Sequence, residues 1–320
     1  MSAGVSERQK EIAYEALVKS SLNMMAGGIA GAVSRTMTSP IERLKVMQQV
    51  QTRSNEYKGV LSGLRHMYVT EGWRGFFKGN GTNVARIAPY SAFQFYFYDM
   101  YKTAFLHAER TFGHRAWDDD SQLSPGKKFC AGALGGASAT LLCYPLDIAR
   151  SYLTLQTASK TEAKYKGIFH VITSVYKTDG MRGLFRGAPI ALFGITPYNA
   201  INFATFDMLK TRYLPPSSDP YFTWINLLLG GIAGGTAALA TYPTDVIKRR
   251  MQLQGVGREL VKELPQYNGA IDCVRVVLRT EGIVGLYRGL TACLLKVIPS
   301  MAIAFTIHES LRSALKFDIK

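Results

Sequence analysis

The sequence lacks the features that mark most secreted proteins and many enzymes. Its four cysteines form no CxxC pair and lie near no histidine at zinc spacing, so we interpret them as buried thiols. The five histidines form no HExxH motif. The sequence also has no recognisable nucleophile–base motif and no phosphate-binding glycine loop after a strand. We therefore predict no metal site, no cofactor and no enzymatic activity.

Charged residues and long apolar runs are both scarce. Only 19% of the residues are charged, below the roughly 25% that is usual for soluble domains. However, no run of 18 residues is free of polar groups, and the mean hydropathy is only +0.01. Hydropathy alone would leave the class of protein undecided. The net charge of +15 indicates an anionic partner, whether nucleic acid, anionic lipid or an acidic solute.

We expect no cleavable targeting segment at the N-terminus. Residues 1–20 carry Glu7, Glu11 and Glu15 and contain no secretory apolar region, which argues against a presequence. We expect a short N-terminal segment, with any import signal lying inside the chain.

The sequence does contain an internal repeat of four elements that recur three times in the same order. A run of small residues comes first, followed by a proline motif, and then by an acid–glycine motif about 30 residues later. The fourth element is an apolar stretch that ends in an acid and a base. One such motif would be weak evidence, but the triplicate order predicts three repeats of one folded bundle, at 21–118, 119–217 and 218–320.

Each repeat holds two apolar stretches long enough to cross a membrane. Glycines at four-residue spacing in these stretches suit close helix approach within a membrane. The loops 52–82 and 157–187 are basic and the connector 106–125 is acidic, which gives the bundle a basic side that could face anionic lipid. We predict an all-α membrane protein with six transmembrane helices at 21–50, 84–105, 126–156, 188–213, 222–254 and 290–316.

The proline motif places charges inside three of these spans. In the first repeat, Pro40 should bend the helix, and Glu42 and Lys45 share one helix face. A local surface ion pair is the simpler alternative. Charges within spans are costly, however, and usually face the interior of a bundle. If the repeats form a ring, each acid meets the base of another repeat, with kinks at Pro40, Pro145 and Pro243 and with pairs Glu42–Arg150, Asp147–Lys248 and Asp245–Lys45.

A second set of charges lies near the ends of the even-numbered spans. The same ring arrangement pairs Asp99 with Lys210, Asp207 with Arg312, and Glu309 with Lys102. Two breakable gates around one cavity are what alternating access requires. Buried ion pairs are only marginally favourable after desolvation, so a bound solute can shift the balance between two closed forms.

These motifs, over residues 20–315, resemble the mitochondrial carrier family with its Px[DE]xx[KR] and [FY][DE]xx[KR] signatures. The resemblance implies six tilted helices in threefold pseudo-symmetry, three short matrix-side helices, and solute exchange by a monomer across the inner membrane. It also implies cardiolipin, an anionic lipid, at the matrix-side helices. Peroxisomal or other organellar membranes are alternatives. The family's glutamine braces match Gln49 and Gln252, whereas Thr154 stands at the second position and His308 replaces an aromatic in the last cytosolic motif.

The resemblance excludes two branches of that family. The stretch 248–253 reads KRRMQL rather than the RRRMMM run of the ADP/ATP carriers. The chain also has no EF-hand loop, which excludes a calcium-regulated ATP-Mg/phosphate carrier with an N-terminal sensor domain but not a short relative of that carrier.

Charges that belong to neither gate are the best indication of the solute. Arg35 precedes Pro40 by five residues, and Arg86 and Lys296 each precede an even-helix proline by three. All three should lie at mid-membrane depth, away from the helix ends where lipid-facing basic residues snorkel. We interpret them as uncompensated cations that bind a polyanion such as a chain of phosphates.

A glycine and a branched apolar residue, Gly194 and Ile195, stand at the matching place on the fourth span and would leave a flat slot for a planar ring. In the family, this pair and the stretch 79–86 resemble carriers of adenylate, ATP-Mg/phosphate, coenzyme A and adenosine phosphosulfate. Gln94 and Asn202 are candidate partners for the base or ribose, or else form interhelix hydrogen bonds. The resemblance implies exchange of an adenine-containing nucleotide.

Two alternatives remain open for the function. The first is a coenzyme A or adenosine phosphosulfate carrier of the same family, and the second is a scaffold or receptor that does not transport. A nucleic-acid binder would explain the net charge but not the apolar spans, so we predict no nucleic-acid partner.

Overall fold

The computed structural model describes residues 22, 25–51, 57, 59–112, 124–156, 165–216, 221–255, 261 and 264–317. The N-terminal segment 1–20 and most of the acidic connector, including Asp118–Asp120, lie outside the described residues. The described part of the chain is helical, with no strand.

Three repeats of two long helical segments and one short helix build the bundle. The first repeat comprises α1 (25–37), α2 (Ser39–Val50), the short α3 (Val60–Glu71), a 3-10 turn (Trp73–Phe77), α4 (Asn80–Ala85) and α5 (Ile87–Phe112). The second comprises α6 (Pro125–Leu155), α7 (Ile168–Leu184) and α8 (Ala188–Tyr213), and the third comprises α9 (Phe222–Gln252), α10 (Ala270–Gly285) and α11 (Leu290–Phe317). The predicted fold of six long segments and three short helices is confirmed.

Hydropathy identifies only half of the long segments. Among the described residues, three helices are long and apolar enough to cross a membrane by length and composition: Gly126–Leu155, Phe222–Gln252 and Leu290–Leu311. The other long segments occupy equivalent positions in the repeat. The repeat therefore predicts six spans where hydropathy finds three.

The three motif prolines have different local effects. Pro145 and Pro243 lie inside the continuous helices α6 and α9. Pro40 instead lies in the first turn of α2, after a break at Thr38. The Thr38 hydroxyl donates to the Ser34 carbonyl at 2.8 Å, and a proline in a first helical turn removes no intrahelical hydrogen bond. The first long segment is therefore two helices.

The acid–glycine motif shapes the backbone around each short helix. The glycine after its acid and the glycine before the next long helix both have φ between 64° and 87°. This left-handed region suits glycine, because a Cβ would crowd the backbone there. The six glycines are Gly72, Gly180 and Gly282, and Gly79, Gly187 and Gly289.

The buried core lies at one end of the bundle, where the long helices meet the short ones. Leu44 of α2, Tyr144 and Ile148 of α6, and Ile247 of α9 belong to it, together with Met67 and Val277 of the short helices. We call this the short-helix end and the opposite one the far end. The apolar side chains pack into this core, and polar residues between the long helices form the candidate site.

Candidate functional site: a central cavity and its ion pairs

A cavity of about 500 Å³ lies between the long helices. Lys45 of α2, Gln94 of α5 and Gly132 of α6 line it, and so do residues of α8, α9 and α11. Because all three repeats contribute, the cavity lies inside a single chain.

The ion pairs at the short-helix end of the cavity join different repeats. Arg150 Nη2 donates to Glu42 Oε1 at 2.7 Å, and Lys45 Nζ donates to Asp245 Oδ2 at 3.2 Å. Both pairs are those that the sequence indicates.

The third expected pair is different. Arg86 Nη1 lies 3.1 Å from Asp147 Oδ1, while the Lys248 ammonium lies 5.9 Å from the centre of the Tyr144 ring. The predicted Asp147–Lys248 ion pair is therefore wrong for this conformation. Arg86 reaches the Asp147 carboxylate from the neighbouring long segment. The motifs alone could not predict this contact, because it does not join equivalent positions of two repeats.

Glu42 also binds a second cation, because Lys296 donates to its other oxygen, Oε2. The sequence predicted that Arg86 and Lys296 have no acidic partner. That prediction is wrong, because Arg86 binds Asp147 and Lys296 binds Glu42. A carboxylate has two oxygens and accepts from two donors, so each gate acid can also neutralise a cation nearer the cavity.

Among the described cations that lie in and around these ion pairs, Arg35, Lys248 and Arg249 have no ion pair of their own with a carboxylate. Arg35 Nη1 donates to Asn83 Oδ1 at 3.1 Å. Arg249 donates to the Ser151 hydroxyl and, at 3.0 Å, to Gln252 Oε1. Sequence reasoning missed Arg249. Its equivalents in the other repeats are uncharged, and that asymmetry was the available signal.

Gly194 and Ile195 line the cavity together with Gln94 and Lys296. Gly194, however, also faces α9, since a Cβ there would lie 2.7 Å from Thr244 Oγ1. The small size of Gly194 lets α8 approach α9. Thr244 therefore occupies part of the space in which the sequence predicted a slot for a planar ring.

Three other predicted site residues lie away from that wall. Arg35, Arg86 and Asn202 are not among the described residues that line the cavity. A Cβ at Gly234 of α9 would lie 3.9 Å from Asn202 Oδ1, which places Asn202 between α8 and α9. Tyr90, Tyr198 and Asn199 do line the cavity, and sequence reasoning did not single them out.

The charges predicted to close the far end are apart in this structure. Within the described part of the chain, Asp99, Lys102, Asp207, Lys210 and Glu309 form no ion pair, and most of them are exposed. The side chain of Arg312 lies outside the described residues. The described ion pairs around the cavity therefore lie at the short-helix end.

Glutamine–tyrosine hydrogen bonds join two of the three repeat interfaces. Gln49 Nε2 donates to Tyr242 OH at 3.3 Å, and Gln252 Nε2 donates to Tyr144 OH at 3.1 Å. At the interface of repeats 1 and 2 the corresponding residues are Thr154 and Ser39. The Ser39 hydroxyl donates instead to the Phe76 carbonyl, within repeat 1, at 3.0 Å.

Buried Arg43 joins repeats 1 and 2 at that interface. Its Nε donates to the Thr154 carbonyl at 2.9 Å, while Nη1 donates to the Gly75 carbonyl at 2.6 Å and Nη2 to Glu71 at 2.9 Å. Burial raises the pKa of the Glu71 carboxyl, but hydrogen bonds from Arg43 and Lys78 outweigh burial and hold that pKa below its usual value.

Arg250 forms a similar contact between repeats 3 and 1. Its Nε donates to the Gln49 carbonyl at 3.0 Å, and its Nη1 and Nη2 donate to Glu281 at 2.5 Å and 2.9 Å. The charges of these arginines are thus neutralised outside the cavity.

A threefold bundle with paired charges around a central cavity is the architecture of a membrane solute carrier. The family model described as "Mitochondrial carrier protein" matches the chain three times, at residues 18–109, 121–217 and 219–318. The chain belongs to this family, whose members are transporters rather than enzymes. It is a multi-pass protein of the mitochondrial inner membrane that carries small molecules.

Several relatives are similar over nearly their whole length. The chain is 38% identical to "Mitochondrial adenine nucleotide transporter ADNT1" of Arabidopsis thaliana, over 96% of this chain and 90% of that protein. It is 38% identical to "Solute carrier family 25 member 16" of Mus musculus, over 91% and 87%. It is 33% identical to "Mitochondrial carrier protein CoAc1" of Arabidopsis thaliana, over 92% and 89%.

Proposed function

We propose that this carrier exchanges an adenine-containing nucleotide, such as ATP, ADP or AMP, with phosphate as one candidate counter-substrate. The observation that carries the proposal is the composition of one cavity. Ile195 and Tyr198 form an apolar and aromatic wall, and Lys296 and Lys248 add positive charge to the same cavity. An adenine ring packs against such a wall, and phosphates bind such cations. One relative is named an adenine nucleotide transporter, which supports the same class of cargo.

The transport mechanism that we propose is alternating access through two ion-pair gates. Ion pairs close the short-helix end, while the charges at the far end are apart. Lys296 lines the cavity and also binds Glu42. A cargo phosphate in the cavity therefore competes with Glu42 for the Lys296 ammonium. Likewise, a phosphate that takes Arg86 leaves Asp147 to pair with Lys248. Cargo thereby changes the ion pairs that hold the short-helix end closed.

We also propose that anionic lipid such as cardiolipin binds beside the short helices and that one copy of the chain transports. The second residue of each short helix is apolar and exposed: Leu61, Phe169 and Ile271 are 84%, 84% and 76% exposed. Apolar side chains at this place suit a helix lying at the lipid surface. A cavity inside one chain requires no second copy.

The test is exchange by the purified carrier in liposomes loaded with ATP, ADP, AMP, coenzyme A, adenosine phosphosulfate or phosphate. Labelled adenine nucleotide should exchange against unlabelled adenine nucleotide. Lys296→Gln should reduce that exchange strongly, because losing one charged contact in a desolvated site costs about 2–5 kcal/mol. Ile195→Asn should reduce uptake of adenine nucleotides more than uptake of phosphate. The control Arg212→Gln removes an exposed cation near the end of α8 and should leave exchange unchanged.

The same panel decides between the proposal and its alternatives. Exchange of coenzyme A alone would favour the second candidate, which the relative named CoAc1 supports. If the carrier exchanges phosphate but no adenine compound, the apolar wall does not bind adenine and the proposed function is wrong. No uptake of any compound by folded protein would favour a scaffold or receptor.

A further inference from the structure

The charges around the short-helix half of the cavity do not balance. Three acids of the described residues belong to this end of the cavity or to the ion pairs around it, namely Glu42, Asp147 and Asp245. Seven cations lie in the same region, and Lys45, Lys248 and Lys296 among them line the cavity itself. This leaves an excess of four positive charges: Arg35, Lys45, Arg86, Arg150, Lys248, Arg249 and Lys296.

Ion pairs join seven of these ten groups into three clusters, one of which is Lys45 with Asp245. Glu42 binds Arg150 and Lys296 together, and Asp147 binds Arg86. Arg249 contacts Ser151, the residue next to Arg150. The basic residues Arg43 and Arg250, in contrast, are neutralised by acids of the acid–glycine motif outside the cavity.

This excess matters when the carrier changes conformation. In the open form, water solvates the cavity cations. Between the two open forms both ends close, and uncompensated charge in a closed, poorly solvated space is costly. A cargo that matches the excess removes this cost, whereas a cargo with fewer charges leaves cations unpaired.

We propose that the cargo carries about four negative charges. Resting on the proposed function for its adenine part, this inference selects two kinds of adenine compound. One is a nucleoside triphosphate free of Mg²⁺, and the other is an adenosine 3′-phosphate 5′-diphosphate such as that of coenzyme A. It disfavours monophosphates, inorganic phosphate and the Mg²⁺ complex of ATP as cargo.

Arg249 is the specificity-determining residue in this scheme. Its equivalents are Val46 in the first repeat and Ser151 in the second, so the third repeat alone adds a cation at this level. Hydrogen bonds to Ser151 and Gln252 hold the guanidinium without neutralising it. Removing Arg249 lowers the excess from four charges to three.

The first measurement is ligand-induced stabilisation of the purified full-length carrier against heat, at fixed ionic strength and with a chelator at pH 7.5. The panel is ATP, ADP, AMP and coenzyme A, together with inorganic triphosphate, diphosphate and phosphate. Affinity should fall about tenfold or more for each missing charge, as expected for loss of a charge-assisted contact. Excess Mg²⁺ should weaken ATP binding. Equal affinity for AMP and ATP would overturn the inference.

The second measurement uses variants that remove one cation each. Arg249→Gln should lower the preference for ATP over ADP about tenfold, and Arg35→Gln should do the same if Arg249→Gln fails to fold. The exposed control Arg212→Gln should keep the wild-type preference. An unchanged preference in a folded cavity variant contradicts the charge-matching proposal.

The panel separates failure of this inference from failure of the proposed function. If inorganic phosphates bind in order of charge and the adenine ring adds nothing, the charge inference stands and the adenine proposal fails. If adenine compounds bind with the same affinity whatever their charge, the adenine proposal stands and the charge inference fails. If no anion binds, both are wrong.

Discussion

At the scale of residues, the proposed mechanism makes the carboxylates of Glu42 and Asp147 the link between cargo binding and gating. Each belongs to the proline motif, and each binds a cation that the cargo would also need. A carboxylate in a desolvated site accepts the nearest well-placed donors, whichever repeat supplies them. The partner of Asp147 is therefore a property of the conformation and should change during transport.

The partner of Asp147 can be measured with double-mutant cycles on thermal unfolding. Combining Asp147→Asn with Arg86→Gln should show a coupling of about 0.5–3 kcal/mol, as for residues in contact. Combining it with Lys248→Gln should show less in the cargo-free carrier. A larger coupling to Lys248 would mean that the symmetric pair dominates.

The contact between Gly194 and Thr244 gives a second prediction at this scale. Gly194→Ala should lower the unfolding temperature, because its Cβ would lie 2.7 Å from Thr244 Oγ1 and 3.3 Å from Thr244 Cβ. Overpacking of this kind costs about 1–3 kcal/mol.

Two further variants test this explanation. Thr244→Ala should recover part of the loss, because it removes the closer atom. Gly132→Ala is the matched control, since Gly132 also lines the cavity but a Cβ added there would meet nothing within 4 Å. If all the variants unfold at the wild-type temperature, Gly194 serves no packing role.

The sequence predicted which residue types occupy the site better than it predicted their partners. Triplication was enough to find Glu42–Arg150 and Lys45–Asp245, because equivalent positions meet in a ring. It could not show that Arg86 binds Asp147 or that Lys296 binds Glu42. Those contacts depend on how far two side chains reach between segments that are not equivalent.

At the scale of elements, the interface between repeats 1 and 2 differs from the other two. It has Thr154 and Ser39 where the others have a glutamine and a tyrosine. Gly79 lies directly against Thr154, with the Thr154 backbone nitrogen 3.0 Å from where a Cβ on Gly79 would be. This close approach leaves little room for a longer side chain at 154, and Arg43 supplies the contact between the repeats instead.

Arg43 should therefore contribute more to stability than its neighbour Lys78, which binds the same acid. Arg43→Lys keeps the charge but loses the planar fork that reaches three acceptors. We expect a loss of about 1–3 kcal/mol, as for buried acceptors left without a donor, together with a clear fall in unfolding temperature. Lys78→Gln is the control and should cost much less, because the Lys78 side chain is 26% exposed. Equal losses in the two variants would show that Arg43 is not specific to this interface.

The elements themselves were largely predictable, and their ends less so. Spacing of the motifs located all six long segments. It did not predict the break at Thr38, two residues before Pro40, or the extension of α5 seven residues beyond 105. Both depend on local contacts that a repeat pattern does not contain.

At the scale of the whole molecule, the described ion pairs around the cavity lie at the short-helix end, whereas Asp99 at the far end is exposed. In the cargo-free carrier, Glu42→Gln should lower the unfolding temperature because it removes a carboxylate that binds two cations. Asp99→Asn should leave that temperature nearly unchanged, since Asp99 is exposed and unpaired among the described residues. Both variants should slow exchange in liposomes, because transport requires each end to close in turn.

Reversing the proposed pair, with Asp99→Lys and Lys210→Asp together, should restore part of the exchange that Asp99→Lys alone abolishes. If the double variant is no faster than Asp99→Lys, the far end does not close through this pair, and the second gate must be sought elsewhere on α5, α8 and α11.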